Sequence, residues 1–224
     1  MIPPLIVESA LDLGITLIAI TDHNSSANIE AVQKAAENTP LIVLPGMEIQ
    51  TREDVHSLCL FDSLDQIAQF QRIVDRTLPR IKNQAEHFGA QFVVDETGDF
   101  IREEDQLLIT SSSLSLSMAW RTVADLKGLF IPAHINRKSF GLIESLGFIP
   151  NDIPFEAVEI SHHLTPDQAR QSIPSIGSIP IIQNGDAHRL DELIGTLYFE
   201  LDQVSISEIK MSLSHKFGRS FVVI

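Results

Sequence analysis

Short apolar runs recur along the chain and are separated by stretches of helical periodicity. This alternation restricts the fold more than any single motif does. The runs cover residues 15–20, 41–44, 55–61, 92–94, 129–132, 157–160, 179–183, 196–201 and 221–224. Between them, residues 3–13 carry prolines in their first turn and stop at Gly14, as a helix does. Residues 27–37 follow Ser25 and Ser26, which are suitable N-caps. Residues 64–81 place Ile67, Phe70, Val74, Leu78 and Ile81 on one face, and residues 114–127 and 207–217 are similar. The pattern predicts an α/β fold with a largely parallel sheet. Residues 83–113 interrupt the rhythm: they are polar and acidic, and Asp95-Glu96-Thr97-Gly98-Asp99 reads as a hairpin turn. They are expected to form a small insertion that caps the site within a single domain spanning residues 1–224.

At 224 residues the chain is long enough for one barrel or one layered α/β domain with a filled core. No apolar run reaches the roughly 18 residues that a membrane helix needs, and the start, Met1-Ile2-Pro3-Pro4, lacks the basic region of a signal peptide. Cys59 is the only cysteine, which excludes an intramolecular disulfide and suits a reducing cytoplasm. The net charge of −14 repels a phosphate backbone, so broad electrostatic binding of nucleic acid is disfavoured. A small phosphorylated substrate or a nucleic-acid end stays open, because bound divalent cations invert the local potential.

The chemistry lies at the ends of the runs, where open sheets and barrels build their sites. The run 15–20 stops in Thr21-Asp22-His23-Asn24. By itself this segment serves equally well as a turn that caps the next helix. Other runs end in the same way. Pro45-Gly46-Met47-Glu48 presents a carboxylate beyond what reads as a tight turn, and His56 lies on the next run. Ala133-His134-Ile135-Asn136-Arg137, Ser161-His162-His163 and Asp186-Ala187-His188 follow three later runs. A lone histidine beside a strand is most often a hydrogen-bonded core residue, but several on separate strands, joined by Glu48 and Asp186, are hard to explain that way. Imidazoles and carboxylates without paired cysteines suit zinc, manganese or iron. His87 and His215 lie in a polar stretch and in a terminal helix, where solvated roles are expected. Cys59 reads as a small buried hydrophobe, and no nucleophile elbow, phosphate-binding glycine loop or dinucleotide fingerprint is present.

The order Asp-His after a strand, then Gly-x-Glu, then His, then Pro-Ala-His, then Asp-x-His resembles the polymerase and histidinol phosphatase (PHP) family across nearly the whole chain. The resemblance implies a distorted seven-stranded β/α barrel with up to three metal ions at the carboxyl ends of its strands. It also implies hydrolysis of phosphoesters by metal-activated water. By the same resemblance His23, Glu48, His56, His134, Asp186 and His188 are metal ligands, with Glu48 bridging two of the ions. Arg137, His162 and His188 are placed near the phosphate or leaving group, although Arg137 and His162 read equally well as an ordinary ion-pair and core residue. Asp22 is expected to steady a ligating imidazole through its second nitrogen.

The family pattern begins with a strand ending in His-x-His, and nothing of that kind precedes Met1. The barrel is therefore expected to lack its first strand, with two ligands missing from one metal position. Only the position built from Glu48, His56 and His134 keeps its full set. The neighbours of the missing strand are expected to expose edges that favour pairing between chains. Two functions follow as expectations: a phosphoesterase acting on a small phosphorylated substrate or nucleotide, or a non-catalytic module that binds one metal or a partner. A related hydrolase attacking an amide is a third.

Overall fold

The computed structural model describes residues 1–224. In chain order the elements are α1 (Pro3–Asp12), β1 (Leu17–Ile20), α2 (Ile29–Ala35), β2 (Ile42–Gln50), β3 (His56–Leu60), α3 (Leu64–Thr77), α4 (Ala85–Phe88), β4 (Phe92–Val94), β5 (Phe100–Glu103) and α5 (Leu116–Asp125). They continue with β6 (Leu129–Pro132), α6 (Leu142–Leu146), β7 (Val158–Ile160), α7 (Pro166–Ser172), β8 (Ile181–Gln183), β9 (Leu197–Glu200), α8 (Ile206–Leu213) and β10 (Ser220–Val223). No helix is long and apolar enough to cross a membrane.

Local chemistry sets the helix boundaries. Pro3 and Pro4 open α1, and Gly14 leaves it at φ +70°. Ser63, Ser115, Thr165 and Ser205 cap α3, α5, α7 and α8, each accepting a hydrogen bond from the backbone N–H three residues on. The periodic stretch expected to run to Ile81 stops at Thr77. Leu78 is extended (ψ 141°) because Pro79 follows it, and the residue before a proline is driven out of the helical region. Ile81 is consequently exposed, while Ile67, Phe70 and Val74 enter the core. Helices α6 and α7 are additions to the sequence expectation.

The sheet is mixed, which corrects the expectation of a largely parallel one. Its order is β1-β2-β3-β6, with β1 and β2 parallel and the β2–β3 and β3–β6 pairs antiparallel. Strands β7 and β8 form a separate parallel pair, and β9 and β10 an antiparallel one. These sheets do not close into a barrel. The antiparallel β2–β3 pairing has its cause at residues 51–55, a short connection that can only return the chain as a hairpin.

Strand β2 organises this arrangement. Pro45-Gly46, read from sequence as a turn, lies inside one nine-residue strand. Its first half pairs with β1 as far as Ile20–Pro45, and its second half pairs with β3 from Gly46–Leu60 onward. One strand thus carries its backbone from one neighbour to the next, and Glu48 sits just past the exchange. The insertion forms α4 and the β4–β5 hairpin, with Asp95 Oδ1 accepting from the N–H groups of Thr97 and Asp99 in its turn.

The main core gathers Met47, Ile49, Cys59, Phe61, Phe70 and Phe130 between β2, β3, β6 and the helices behind them. Cys59 is fully buried, and burial pushes its thiol pKa well up, so it is an inert packing residue. On the opposite side β1 has no strand on its outer edge, and all four of its residues are only half-buried. A cavity of about 1130 Å³ fills the space between β1 and the segment running from β8 to β9. Its apolar floor includes Leu17, Ala19, Leu58, Ile131 and Phe199, and at one end it reaches His23, Glu48, Asp186 and His188.

The crossing at Gly46 is testable. A Cβ there would meet Thr21 Cγ2 at 2.8 Å, the Ile20 carbonyl oxygen at 2.9 Å and Leu60 Cδ2 at 2.9 Å. The Gly46→Ala variant should lose about 1–3 kcal/mol, the usual cost of overpacking. Urea denaturation at constant m-value checks this.

Candidate metal centre

Backbone pairing brings the strand ends together before any side chain does. The residue after β1's turn, His23, forms a parallel bridge with Glu48, and the Asn24 N–H donates to the Glu48 carbonyl at 2.9 Å. The Ala133 N–H donates to the His56 carbonyl at 2.9 Å, which sets His134 beside His56. The His56 N–H in turn donates to the Phe140 carbonyl, and the Phe140 ring stacks on the His56 imidazole at 4.4 Å with the planes 1° apart. Three imidazoles from three separate segments are therefore delivered to one carboxylate.

Glu48 is buried, and Oε2 lies 3.1 Å from His23 Nδ1 and 3.4 Å from His56 Nδ1, while Oε1 lies 3.5 Å from His134 Nε2. The rings of His23 and His56 are 4.9 Å apart, and those of His56 and His134 5.3 Å. Burial alone would raise the Glu48 pKa. The imidazoles of His134, His56 and His23 outweigh it and hold the carboxyl well below the usual carboxylate range. Burial also lowers the His23 imidazole pKa, against the pull of Glu48. A His23 imidazole biased toward its deprotonated form beside an ionised Glu48 carboxylate suits a cation, which binds deprotonated ligands.

Two buried atoms fit this reading. Glu48 Oε1 and His134 Nδ1 make no hydrogen bond, although buried polar atoms are nearly always paired. A cation bound among these residues would satisfy the carboxylate oxygen. The ligand atoms of His23, Glu48 and His56 all lie within 4.8 Å of one another, and a mixed nitrogen and oxygen set suits a borderline cation.

The other expected residues divide. Asp186 and His188 line the same cavity as His23 and Glu48, and the His188 ring stands 6.0 Å from that of His23. His188 is largely exposed, with Nδ1 2.9 Å from the Asp186 carbonyl. Arg137 forms a 2.5 Å ion pair with Asp186 Oδ2, so its guanidinium is held at a candidate ligand. His162 stands apart. It is exposed in the turn after β7, its ring 4.0 Å from that of His163, and no hydrogen bond or ion pair joins it to the Glu48 group. Asp22 accepts from Asn28 Nδ2 at 3.2 Å rather than from an imidazole, contrary to the expectation for it.

Glu159 was not singled out from the sequence. It is buried in β7, where Oε2 accepts from the His134 N–H at 3.0 Å and Oε1 from Asn184 Nδ2 at 2.7 Å. Despite these donors, burial pushes its pKa up to about 7. Its backbone carbonyl also accepts from Ile135, so β7 grips the peptide on both sides of His134. That grip matters because His134 sits at φ +30° and Asp186 at φ +49°, conformations that side chains other than glycine rarely adopt. A carboxylate within the apolar run 157–160 was the available signal.

No protein-family model matches the sequence, and no curated protein sequence matches it. Solved structures do share the fold. The lesion-specific endonuclease PfuEndoQ from Pyrococcus furiosus aligns with a TM-score of 0.73 at 20% identity, covering 99% of this chain and 53% of that one. An endonuclease Q complex with a 27-mer duplex carrying an abasic lesion at the active site gives 0.68 at 19% identity, over 98% of this chain and 53% of that one. A protein assigned as a metal-dependent phosphoesterase, from Bifidobacterium adolescentis, gives 0.57 at 19% identity over 84% and 82%. The chain thus spans about half the length of endonuclease Q. At these identities the likeness establishes the fold.

Two measurements probe the centre. Glu48→Gln should weaken manganese or zinc binding by more than the roughly 10–100-fold that loss of an outer-sphere partner costs, as read by calorimetry. In the metal-free protein, the raised Glu159 pKa favours the protonated folded state. Its stabilising effect is complete below the unfolded value of 4.5 and is lost as pH rises through about 7. Glu159→Gln should flatten that fall, seen as urea midpoints at pH 4.5 and 7.5 that lie closer together than in the wild type.

Proposed function

We propose that this chain is a metal-dependent phosphoesterase of the PHP type, hydrolysing a phosphomonoester or a nucleotide-type phosphoester. The observation that carries the reading is the buried Glu48 carboxylate, faced by three imidazoles and left with an unpartnered oxygen. Its metal ligands are His23, Glu48, His56, His134, Asp186 and His188, holding one to three zinc, manganese or iron ions. Such ions supply Lewis acidity toward a phosphoryl oxygen and lower the pKa of water to near neutrality.

The protein's own residues have distinct tasks in this scheme. Glu48 and the imidazoles that face it are held in place by the strands before substrate arrives, so little reorganisation is needed during reaction. Arg137, tethered to Asp186, presents a planar donor fork beside the site that matches phosphate oxygens. In a form where it ligates no cation, His188, exposed at the cavity mouth, passes a proton to the leaving group. His162 has no part in this version, since the structure gives it no contact with the cluster.

Nucleic acid returns as a partner to be considered. Net charge argued against it, yet endonuclease Q shares this fold and is seen with a lesion-bearing duplex. A formal charge of −14 describes the whole surface and not the walls of one cleft. A second reading, a non-catalytic module holding a single metal, is favoured by the fact that only His23, Glu48 and His56 converge within 4.8 Å.

Purified protein supplied with manganese or zinc should release phosphate from a generic phosphoester, and His134→Ala should lower that rate at least 100-fold. Equal rates would defeat the assignment of the site. One metal per chain with no turnover in the wild type would favour the module.

A further inference from the structure

The insertion carries exposed aromatic surface to the edge of the candidate centre. Phe92 in β4 and Phe100 in β5 are 55% and 63% exposed, yet their rings meet edge to face, 5.6 Å apart at 88°. Phe92 borders both the large cavity and a second one of about 210 Å³, and Asp22 and His23 line both as well. Phe92 thus presents an exposed ring on the wall of a cleft that also holds candidate ligands, with Phe100 packed against it across the hairpin.

The pair is held firmly with respect to the site. Asn28 donates to the Phe92 carbonyl at 3.2 Å and to Asp22 Oδ2 at 3.2 Å, and its Oδ1 accepts from the Val94 N–H at 3.1 Å. Asn24, next to His23, donates to the carbonyls of Leu108 and Thr110 at 2.7 and 2.9 Å. At the far end, the hairpin turn at Gly98 lies against Ile2. The same short polar segment therefore positions His23 and the aromatic wall.

We propose that Phe92, buttressed by Phe100, is a stacking platform for the nucleobase of a nucleotide whose phosphate lies at the metal centre. This inference rests on the phosphoesterase reading above. A protein partner fits less well, since two rings at a cavity mouth fall far short of the roughly 800 Å² per side of a stable interface. The smaller cavity is also below the roughly 300–1,000 Å³ of drug-sized sites, a scale suited to one planar ring system. Polar groups around it are already engaged: the Gln91 amide donates to the carbonyls of Glu104 and Gln106 and accepts from the Leu108 N–H. Little remains to read the base edge, so the platform recognises a π-face and accepts purines and pyrimidines alike.

Calorimetry on the full chain with manganese tests this by comparing adenosine 5′-monophosphate with ribose 5-phosphate. Wild type should bind the nucleotide roughly 5–150-fold more tightly, the range for one base stacked on an aromatic side chain. Phe92→Ala should bring the ratio to within about twofold, and Phe92→Tyr should restore it. A wild-type ratio near one, an unchanged ratio in Phe92→Ala, or no binding of either compound would overturn the proposal. A preserved ratio without phosphate release would defeat only the phosphoesterase reading, whereas phosphate release with a ratio near one would defeat only the platform. A short single-stranded oligonucleotide separates the sources of the base. Binding tighter than the mononucleotide assigns a strand end, weaker binding a free nucleotide, and Phe92→Ala must reduce the tighter of the two.

Discussion

A single buried carboxylate is the constraint on which this structure turns. An ionised group the size of a carboxylate is not left alone in a protein interior, because desolvation costs several kcal/mol even after relaxation. Glu48 is accommodated because imidazoles from the end of β1, from β3 and from the loop after β6 all approach it. Each of those segments is in turn fixed by backbone pairing to β2 or β3. The cluster and the mixed sheet are thus one arrangement: a different register would bury the charge without its partners.

The same residues bind more than a fold requires. Burial holds the His23 imidazole below its ordinary basicity, and one Glu48 oxygen is left without a hydrogen bond. Around them the backbone holds His134 and Asp186, among other residues, at positive φ. Glu159 grips the first of these from β7, and Arg137 grips the side chain of the second. Strain of this kind persists only where the surroundings hold it in place, and it gathers at functional sites.

Much of this was legible from residue order, and the failures have physical causes. Every apolar run that was read as a strand overlaps one, because a strand that packs on a core leaves an apolar signature in sequence. Strand direction was not legible: periodicity is the same in parallel and antiparallel partners, so the hairpin at residues 51–55 overturned the parallel expectation. Pro45-Gly46 signals a turn by local propensity, but here it marks the exchange of partners within β2. The candidate ligands were readable because charged and imidazole residues at strand ends interrupt an apolar pattern. Glu159 was not, since its carboxylate lies inside such a run and its partners, Asn184 and the His134 amide, are remote in sequence or invisible in it. His162 looked equivalent to His134, and only the path of the chain after β7 separates them.

The account stands or falls on whether a cation occupies the space between His23, Glu48 and His56. Anomalous diffraction from crystals soaked in manganese or zinc addresses this without any assumption about substrate. The account predicts a peak within about 2.0–2.2 Å of a Glu48 carboxylate oxygen and of at least one imidazole nitrogen. Anomalous density confined to exposed surface carboxylates, with the Glu48 cluster unchanged, would contradict it.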